Sequence, residues 1–168
     1  MEIIEKTVEI EAPVGKVYNQ WTQFEKFPQF MEGVEKVEQL DDKHLHWVAR
    51  IGGKQKEWDA EILEQVPDER IAWRSTTGAP NSGIVHFRPK DQSHTVMTLP
   101  MNYEPEGATE TLGGSLGILS RRIEGDLKRF RDFIESRRTE TGAWRGEIRG
   151  RTKVHPGGQY GASRKTRS

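Results

Sequence analysis

The chain contains no cysteine, which excludes a disulfide framework, a thiolate zinc site and a thiol nucleophile. Apolar residues make up only 33% of its 168 positions. They nowhere gather into the run of roughly 20 that a membrane-spanning helix needs. The opening residues, "MEIIEKTVEIEAP", carry acids where a secretory leader would place basic residues ahead of an apolar core. A cytoplasmic protein is therefore expected. The five histidines show no metal-ligand spacing. "GGSLG" at 113–117 lacks the Gly-Lys-Ser/Thr ending of a phosphate loop and reads instead as chain freed to begin a helix. No metal, no cofactor and no internal repeat are expected.

What the chain has in quantity is charge, 31% of its residues, balanced to a net of zero. The balance hides an asymmetry. Residues 139–168 hold seven Lys/Arg against two Asp/Glu, and residues 1–138 hold nineteen against twenty-four. The end "HPGGQYGASRKTRS" has nothing to bury and the glycine content of unstructured chain. The sequence thus divides near Thr139 into an acidic globular domain, 1–138, and a basic tail, 139–168. A solvated tail is favoured over one touching nucleic acid or an anionic membrane, because Trp144 and Tyr160 are its only stacking aromatics.

Within the domain, Val8 and Ile10 alternate with Thr7, Glu9 and Glu11, the pattern of a half-buried strand. Pro13 then opens a helix carrying Val14, Val17, Tyr18 and Trp21 at helical spacing. "FEKFPQFM" follows as a short second helix or broken turn. Its Phe24, Phe27, Phe30 and Met31 read as core, with a flexible lid as the alternative. Six strands come next, punctuated at Asp41-Asp42, Gly52-Gly53, Pro67-Asp68, "TTGAPNS" and Asp91, an antiparallel meander. Residues 115–138 form a long helix. Leu116, Leu119, Ile123, Leu127, Phe130 and Ile134 lie on one stripe, with Arg121, Arg122, Lys128, Arg129 and Arg131 largely off it. A sheet with one apolar face covered by that helix is an α+β architecture.

The turns set the register. A two-residue loop at Gly52-Gly53 makes Trp47 face Trp58, Leu45 face Ala60, His46 face Asp59 and His44 face Glu61. A turn centred on Pro67-Asp68 makes Trp73 face Ile62, Ser75 face Ala60 and Arg74 face Glu61. The apolar face then carries Leu45, Trp47, Ala49, Ile51, Trp58, Ala60, Ile62, Ile71, Trp73 and Ser75. His44, His46, Arg50, Glu57, Asp59, Glu61 and Arg74 take the other, where Glu61 can pair with both His44 and Arg74. His46 beside Asp59 resembles a general base with its orienting carboxylate, but the register puts both away from any pocket. A one-residue bulge would reverse that conclusion for everything beyond it.

The inner face continues through Val85, Phe87, Met97, Leu99, Met101 and Tyr103. Ser75 and the Tyr103 phenol are its main polar groups, with Lys56 at a possible rim. No catalytic set emerges. The candidate ligand-binding residues are Phe27, Phe30 and Met31 from the aromatic cluster, and Trp47, Trp58, Trp73 and Ser75 from the tryptophan strands. Phe87, Met97, Met101 and Tyr103 join them from the last strands, and Leu119, Ile123 and Leu127 from the helix.

The stretches "IEAPVGKVYNQW", "FEKFPQFMEGVEKV", "EWDAEILEQVPDERIAWRS", "NSGIVHF", "HTVMTLPMNYEPEG" and "DLKRFRDFIESRRTETGAWRGE" span nearly all of residues 3–147. In them the chain resembles the SRPBCC superfamily, and within it the bacterial polyketide cyclase/dehydrase group related to coenzyme-Q-binding START proteins. That resemblance implies the START-like, helix-grip fold: a curved antiparallel sheet of about seven strands around a long C-terminal helix, with two short helices after strand 1. It also implies a cavity between sheet and helix that takes lipids, quinones or polyketide-like molecules. Three functions fit. The chain binds or carries a small hydrophobic ligand, the reading its aromatic inner face favours. Alternatively it is a cyclase/dehydrase-type enzyme in which Tyr103 or Ser75 polarises a carbonyl. In the third, it is an interaction or stress-associated protein with a filled cavity and a tail that finds an acidic partner.

Overall fold

The computed structural model describes residues 2–103 and 114–149. Strand β1 (Glu2–Ile10) leads into helix α1 (Val14–Trp21) and a 3-10 helix (Phe24–Gln29). Six strands follow: β2 (Val34–Gln39), β3 (His44–Ile51), β4 (Lys54–Val66), β5 (Arg70–Gly78), β6 (Asn81–Asp91) and β7 (His94–Tyr103). Helix α2 (Gly114–Glu135) comes last. The sheet runs β1-β7-β6-β5-β4-β3-β2 with every pairing antiparallel. This is the helix-grip, START-like α+β fold that the sequence predicts, and its turns explain the register.

Gly52 and Gly53 both have positive φ, 60° and 84°, the backbone of a type I′ hairpin whose twist matches the flanking strands. Trp47 accordingly pairs with Trp58, His46 with Asp59 and His44 with Glu61. The β4–β5 hairpin is less simple. Glu69 N–H donates to Val66 O at 3.0 Å, and Asp68 takes φ 66° behind Pro67, a type II arrangement. Near the turn the register is one residue off the expected one, with Val66 opposite Arg70 and Gln65 opposite Ile71. Leu63 bulges out and absorbs the difference, so Ile62 faces Trp73, Glu61 faces Arg74 and Ala60 faces Ser75 as expected. A second irregularity at Thr76 sets Asp59 opposite Thr77 and Trp58 opposite Gly78. Such bulges increase local bend and twist.

The core lies between the concave sheet face, α1, the 3-10 helix and α2. Tyr18, Phe27, Met97, Phe130 and Ile134 are fully or almost fully buried there. Phe24, Phe27 and Phe30 are at most 5% exposed. Their rings link Trp21, Phe130 and Phe133 through centroid separations of 4.8 to 5.5 Å. The aromatic cluster is core rather than a lid.

The tail boundary near Thr139 needs revision in one respect. Residues 139–149 lie against α1 and β4. The Gln20 amide and Thr141 exchange two hydrogen bonds, 2.9 and 2.8 Å. Trp144 N–H donates to Thr22 Oγ1 at 3.1 Å. Arg145 reaches Asn19 at 2.6 Å and Asp68 at 2.8 Å. Gln65 and Ile148 exchange both backbone bonds, 2.7 and 2.8 Å, covering the edge of β4 beyond the end of β3. Composition had grouped this segment with the basic chain that follows, yet its polar side chains satisfy buried Gln20 and its Ile148 is buried. The rest of the expected tail, 150–168, lies outside the described residues.

Candidate functional site

A cavity of about 150 Å³ separates the sheet from α2. Alternation along the strands sends every second side chain into it. Leu45, Trp47, Ala49 and Ile51 come from β3, and Trp58, Ala60 and Ile62 from β4. Ile71 and Trp73 come from β5, and Leu99, Met101 and Tyr103 from β7. Trp47 and Trp58 stack across the hairpin, ring centroids 5.6 Å apart and planes 9° from parallel. Trp73 is held by a 2.9 Å hydrogen bond from its indole N–H to Asn81 Oδ1. Its ring covers Gly83 so closely that a Cβ there would sit 2.6 Å from the indole. Glycine on β6 is what lets the indole come this close to the strand.

The opposite wall is one face of α2: Leu119, Arg122, Ile123, Asp126 and Leu127. Trp21, Phe24, Phe27, Met31, Gly33 and Val34 close the side next to α1 and β2, and Ala79 and Asn81 are the remaining lining among the described residues.

Of the fourteen candidates from sequence, ten line this cavity: Phe27, Met31, Trp47, Trp58, Trp73, Met101, Tyr103, Leu119, Ile123 and Leu127. Four lie elsewhere. Phe30 packs between Phe130 and Phe133, at 5.1 and 5.2 Å. Phe87 meets Tyr18 edge-on at 5.3 Å. Met97 is fully buried in the core. Ser75 is on the expected strand face, but its Oγ accepts the Asn81 N–H at 3.0 Å and does not reach the cavity. Strand parity gives a residue's face but not its position along the sheet, and these four sit where α1, α2 or the β5–β6 connection fills the concave side.

Sequence reasoning missed Trp21, Asn81, Arg122 and Asp126 as wall residues. For Arg122 the signal was present. Three residues from Leu119 is about 60° short of a full helical turn, within the width of an apolar stripe, so a basic residue there can face inward. Asp126 is 6% exposed. Burial holds its carboxyl above the usual carboxylate range, opposed by the hydrogen bonds that Glu32 N–H and Arg129 make to it.

The outer face behaves as a charged sheet surface. His46 Nδ1 is 2.6 Å from Asp59 Oδ1 and its Nε2 3.0 Å from Glu57 Oε1. Asp59 also accepts the Thr77 hydroxyl at 2.9 Å. The Asp59 hydrogen bond raises the His46 pKa, and His46 in turn lowers that of Asp59. Arg74 pairs with Glu61 at 3.3 Å. His44 turns to Asp41 at 2.8 Å rather than to Glu61, because the β2–β3 turn brings Asp41 within reach of its own ladder. The His46–Asp59 pair is separated from the cavity by the sheet itself.

Among the described residues no group of three or more His, Asp or Glu is placed to hold a metal ion, and no helix is long and apolar enough to cross a membrane.

Comparison with known proteins agrees with this architecture. An uncharacterized 17.2 kDa protein of Streptomyces lincolnensis is 50% identical over 149 residues, covering 88% of this chain and 99% of that one. The crystal structure of an aromatase/cyclase from Streptomyces sp. R1128 superposes with a TM-score of 0.70 at 19% identity, over 85% of this chain and 99% of the other. A START superfamily protein from Mycobacterium smegmatis gives 0.61 at 17% identity, over 76% and 97%. Both share the fold. The family described as polyketide cyclase/dehydrase and lipid transport matches residues 10–131, and the chain belongs to that family.

Proposed function

We propose that the chain binds a small, largely apolar molecule in the cavity between its sheet and α2. The observation that carries this reading is the cavity wall: three tryptophans of the sheet, two of them stacked, face leucine and isoleucine of α2 across about 150 Å³, with a fourth, Trp21, at the side. An apolar cavity of roughly that size stays dry and accepts a benzene-sized guest, whereas drug-sized ligands occupy about 300–1,000 Å³. One aromatic ring or a short branched chain therefore fits, and a larger quinone or polyketide enters by one ring only.

Two of the arrangements that would favour catalysis are out of place, although Tyr103 does line the cavity. His46 and Asp59 are on the outer face. Ser75 is engaged by the Asn81 amide, and Asn81 by Trp73 and Ala79. The test is native mass spectrometry of the purified chain, with organic extraction, followed by titration of tryptophan fluorescence with short aryl compounds, quinones and fatty acids. Binding predicts a stoichiometric co-purifying molecule or a saturable fluorescence change. Neither a bound molecule nor uptake of any of these classes would overturn it.

A further inference from the structure

The cavity wall carries one cation among its described residues, Arg122. Its position is built. The guanidinium lies over Gly33, where any Cβ would collide with it. Nη1 donates to Arg50 O at 3.1 Å, and Arg50 N–H in turn donates to Gly33 O at 2.7 Å. The start of the β2–β3 ladder thus forms a seat for the side chain, which is only 25% exposed.

A guanidinium has five donors and no acceptor, and among the described residues the Arg50 carbonyl is the acceptor within hydrogen-bond range. Glu32 Oε1 stands 3.8 Å from Nε, too far for a hydrogen bond, on a side chain that is 69% exposed. Asp126 shares this wall and its charge couples to that of Arg122, but its hydrogen bonds, like those of Asn81, go to other partners. Asp126 Oδ1 takes Glu32 N–H and Arg129, at 2.9 and 2.5 Å, and Asn81 takes Trp73. Arg129 is not part of the lining: its Nε donates to Phe30 O at 3.0 Å, and its Nη2 lies between Asp126 and Glu32. Among the described residues, the arrangement is a largely apolar chamber whose wall holds one fixed fork of donors with a single hydrogen-bonded acceptor, the geometry that suits a carboxylate.

Resting on the binding reading above, we propose that Arg122 is the head-group subsite of this cavity and selects small carboxylic acids, whose apolar body lies on the tryptophan wall and whose carboxylate meets the guanidinium. Glu32 is the resident competitor: the ligand's carboxylate takes the place of a loosely held one. A neutral ligand of the same shape would fill the chamber and leave the fork unused.

The experiment compares 3-phenylpropionate with its methyl ester at pH 7, followed by tryptophan fluorescence and ligand-observed NMR. In the wild type the acid is expected to bind at least tenfold more tightly than the ester. Arg122→Met, which keeps the stem and removes the fork, should bring the acid down to the ester's affinity and leave the ester unchanged. Arg122→Lys should retain part of the preference, since it keeps charge without the planar fork. Glu32→Gln should tighten the acid alone. Equal binding of acid and ester by the wild type, or a preference that survives Arg122→Met, overturns the subsite and leaves the cavity reading standing. Failure of both compounds to bind overturns the cavity reading for this ligand size as well. A merely structural Arg122 would shift the melting midpoint of Arg122→Met without changing the acid-to-ester ratio.

Discussion

Ala60→Leu is the substitution whose sign decides whether the space between sheet and α2 is real. Ala60 is 1% exposed, sits in the middle of β4 and contributes to the cavity wall. In a close-packed core, enlarging such a residue costs about 1–3 kcal/mol through strain. Here the added isobutyl carbons enter empty volume. Three further buried carbons contribute about 2.4 kcal/mol, reduced by about 0.5–1 kcal/mol for the ordered leucine rotamer. The net is a stabilisation of about 1.5 kcal/mol. The ceiling is the whole cavity of about 150 Å³, which at about 24 cal/mol per Å³ corresponds to about 3.6 kcal/mol. For a domain of this size 1 kcal/mol moves the melting midpoint by about 2–4 °C, so the midpoint should rise by about 3–6 °C.

Two readouts belong together. Calorimetry of the ligand-free chain gives the midpoint, and a fluorescence titration with a single-ring aryl compound gives the remaining volume. The variant should melt higher and lose the aryl compound. A midpoint that falls would mean that Ala60 already packs against its surroundings and the reasoning is wrong. A raised midpoint with undiminished binding would place the ligand somewhere other than this wall.

Ile148→Ala should cost about 2 kcal/mol, the low end for a buried isoleucine. Urea unfolding followed by far-UV circular dichroism measures this, and an unchanged midpoint would mean that 139–149 contributes nothing to the fold. His46 and Asp59 have shifted in opposite directions through their mutual hydrogen bond. The raised His46 pKa contributes stability that is present below about pH 6.5 and lost as pH rises through the folded value. The lowered Asp59 pKa contributes stability present above about pH 4 and lost as pH falls through its folded value. His46→Gln should therefore differ most from the wild type between about pH 4 and 6.5, and a pH-independent difference in melting midpoint would contradict the pairing. Burial pushes the Tyr18 phenol up to about 12, so the unfolded chain ionises first and stability should fall as pH rises above about 10. Phenolate absorbance titration of wild type against Tyr18→Phe checks this, and a Tyr18 signal that appears near pH 10 with the fold intact would refute it.

Much of this fold is legible because its turns are chemically explicit. Gly52-Gly53 can hardly be anything but a type I′ hairpin, so the facing of Trp47 with Trp58 follows from two residues. Pro67-Asp68 is also a turn, but proline there permits either type I or type II, and the length of the loop, one residue longer than expected, is offset by the bulge at Leu63. Two one-residue departures cancel, which is why Trp73 still faces Ile62. Nothing in the composition of "ILEQV" marks Leu63 as the bulge, although an exposed leucine between Ile62 and Glu64 is its consequence. The site was harder to read than the sheet. A strand's face is a matter of parity, but which stretch of the face stays open depends on where α1 and the aromatic cluster come down, a tertiary fact. Phe87 and Met97 obeyed parity and were covered all the same. The role of 139–149 was hidden for a different reason: a strap held by backbone and amide hydrogen bonds needs no hydrophobic period.

The open volume itself has a sequence cause. Ala49 and Ala60 are buried at 3% and 1% exposure in a wall whose neighbouring positions are Trp47, Trp58 and Trp73. Large rings hold the sheet and α2 apart, and alanines between them cannot fill the separation they create. Gly83 acts in the same sense: it lets the Trp73 indole approach β6, where any Cβ would collide with it. A core selected for stability alone would replace one of these small residues at little cost in strain. Together with the Arg122 guanidinium on the facing helix, these small residues are what the proposed guest, with an apolar body and an acidic end, would require.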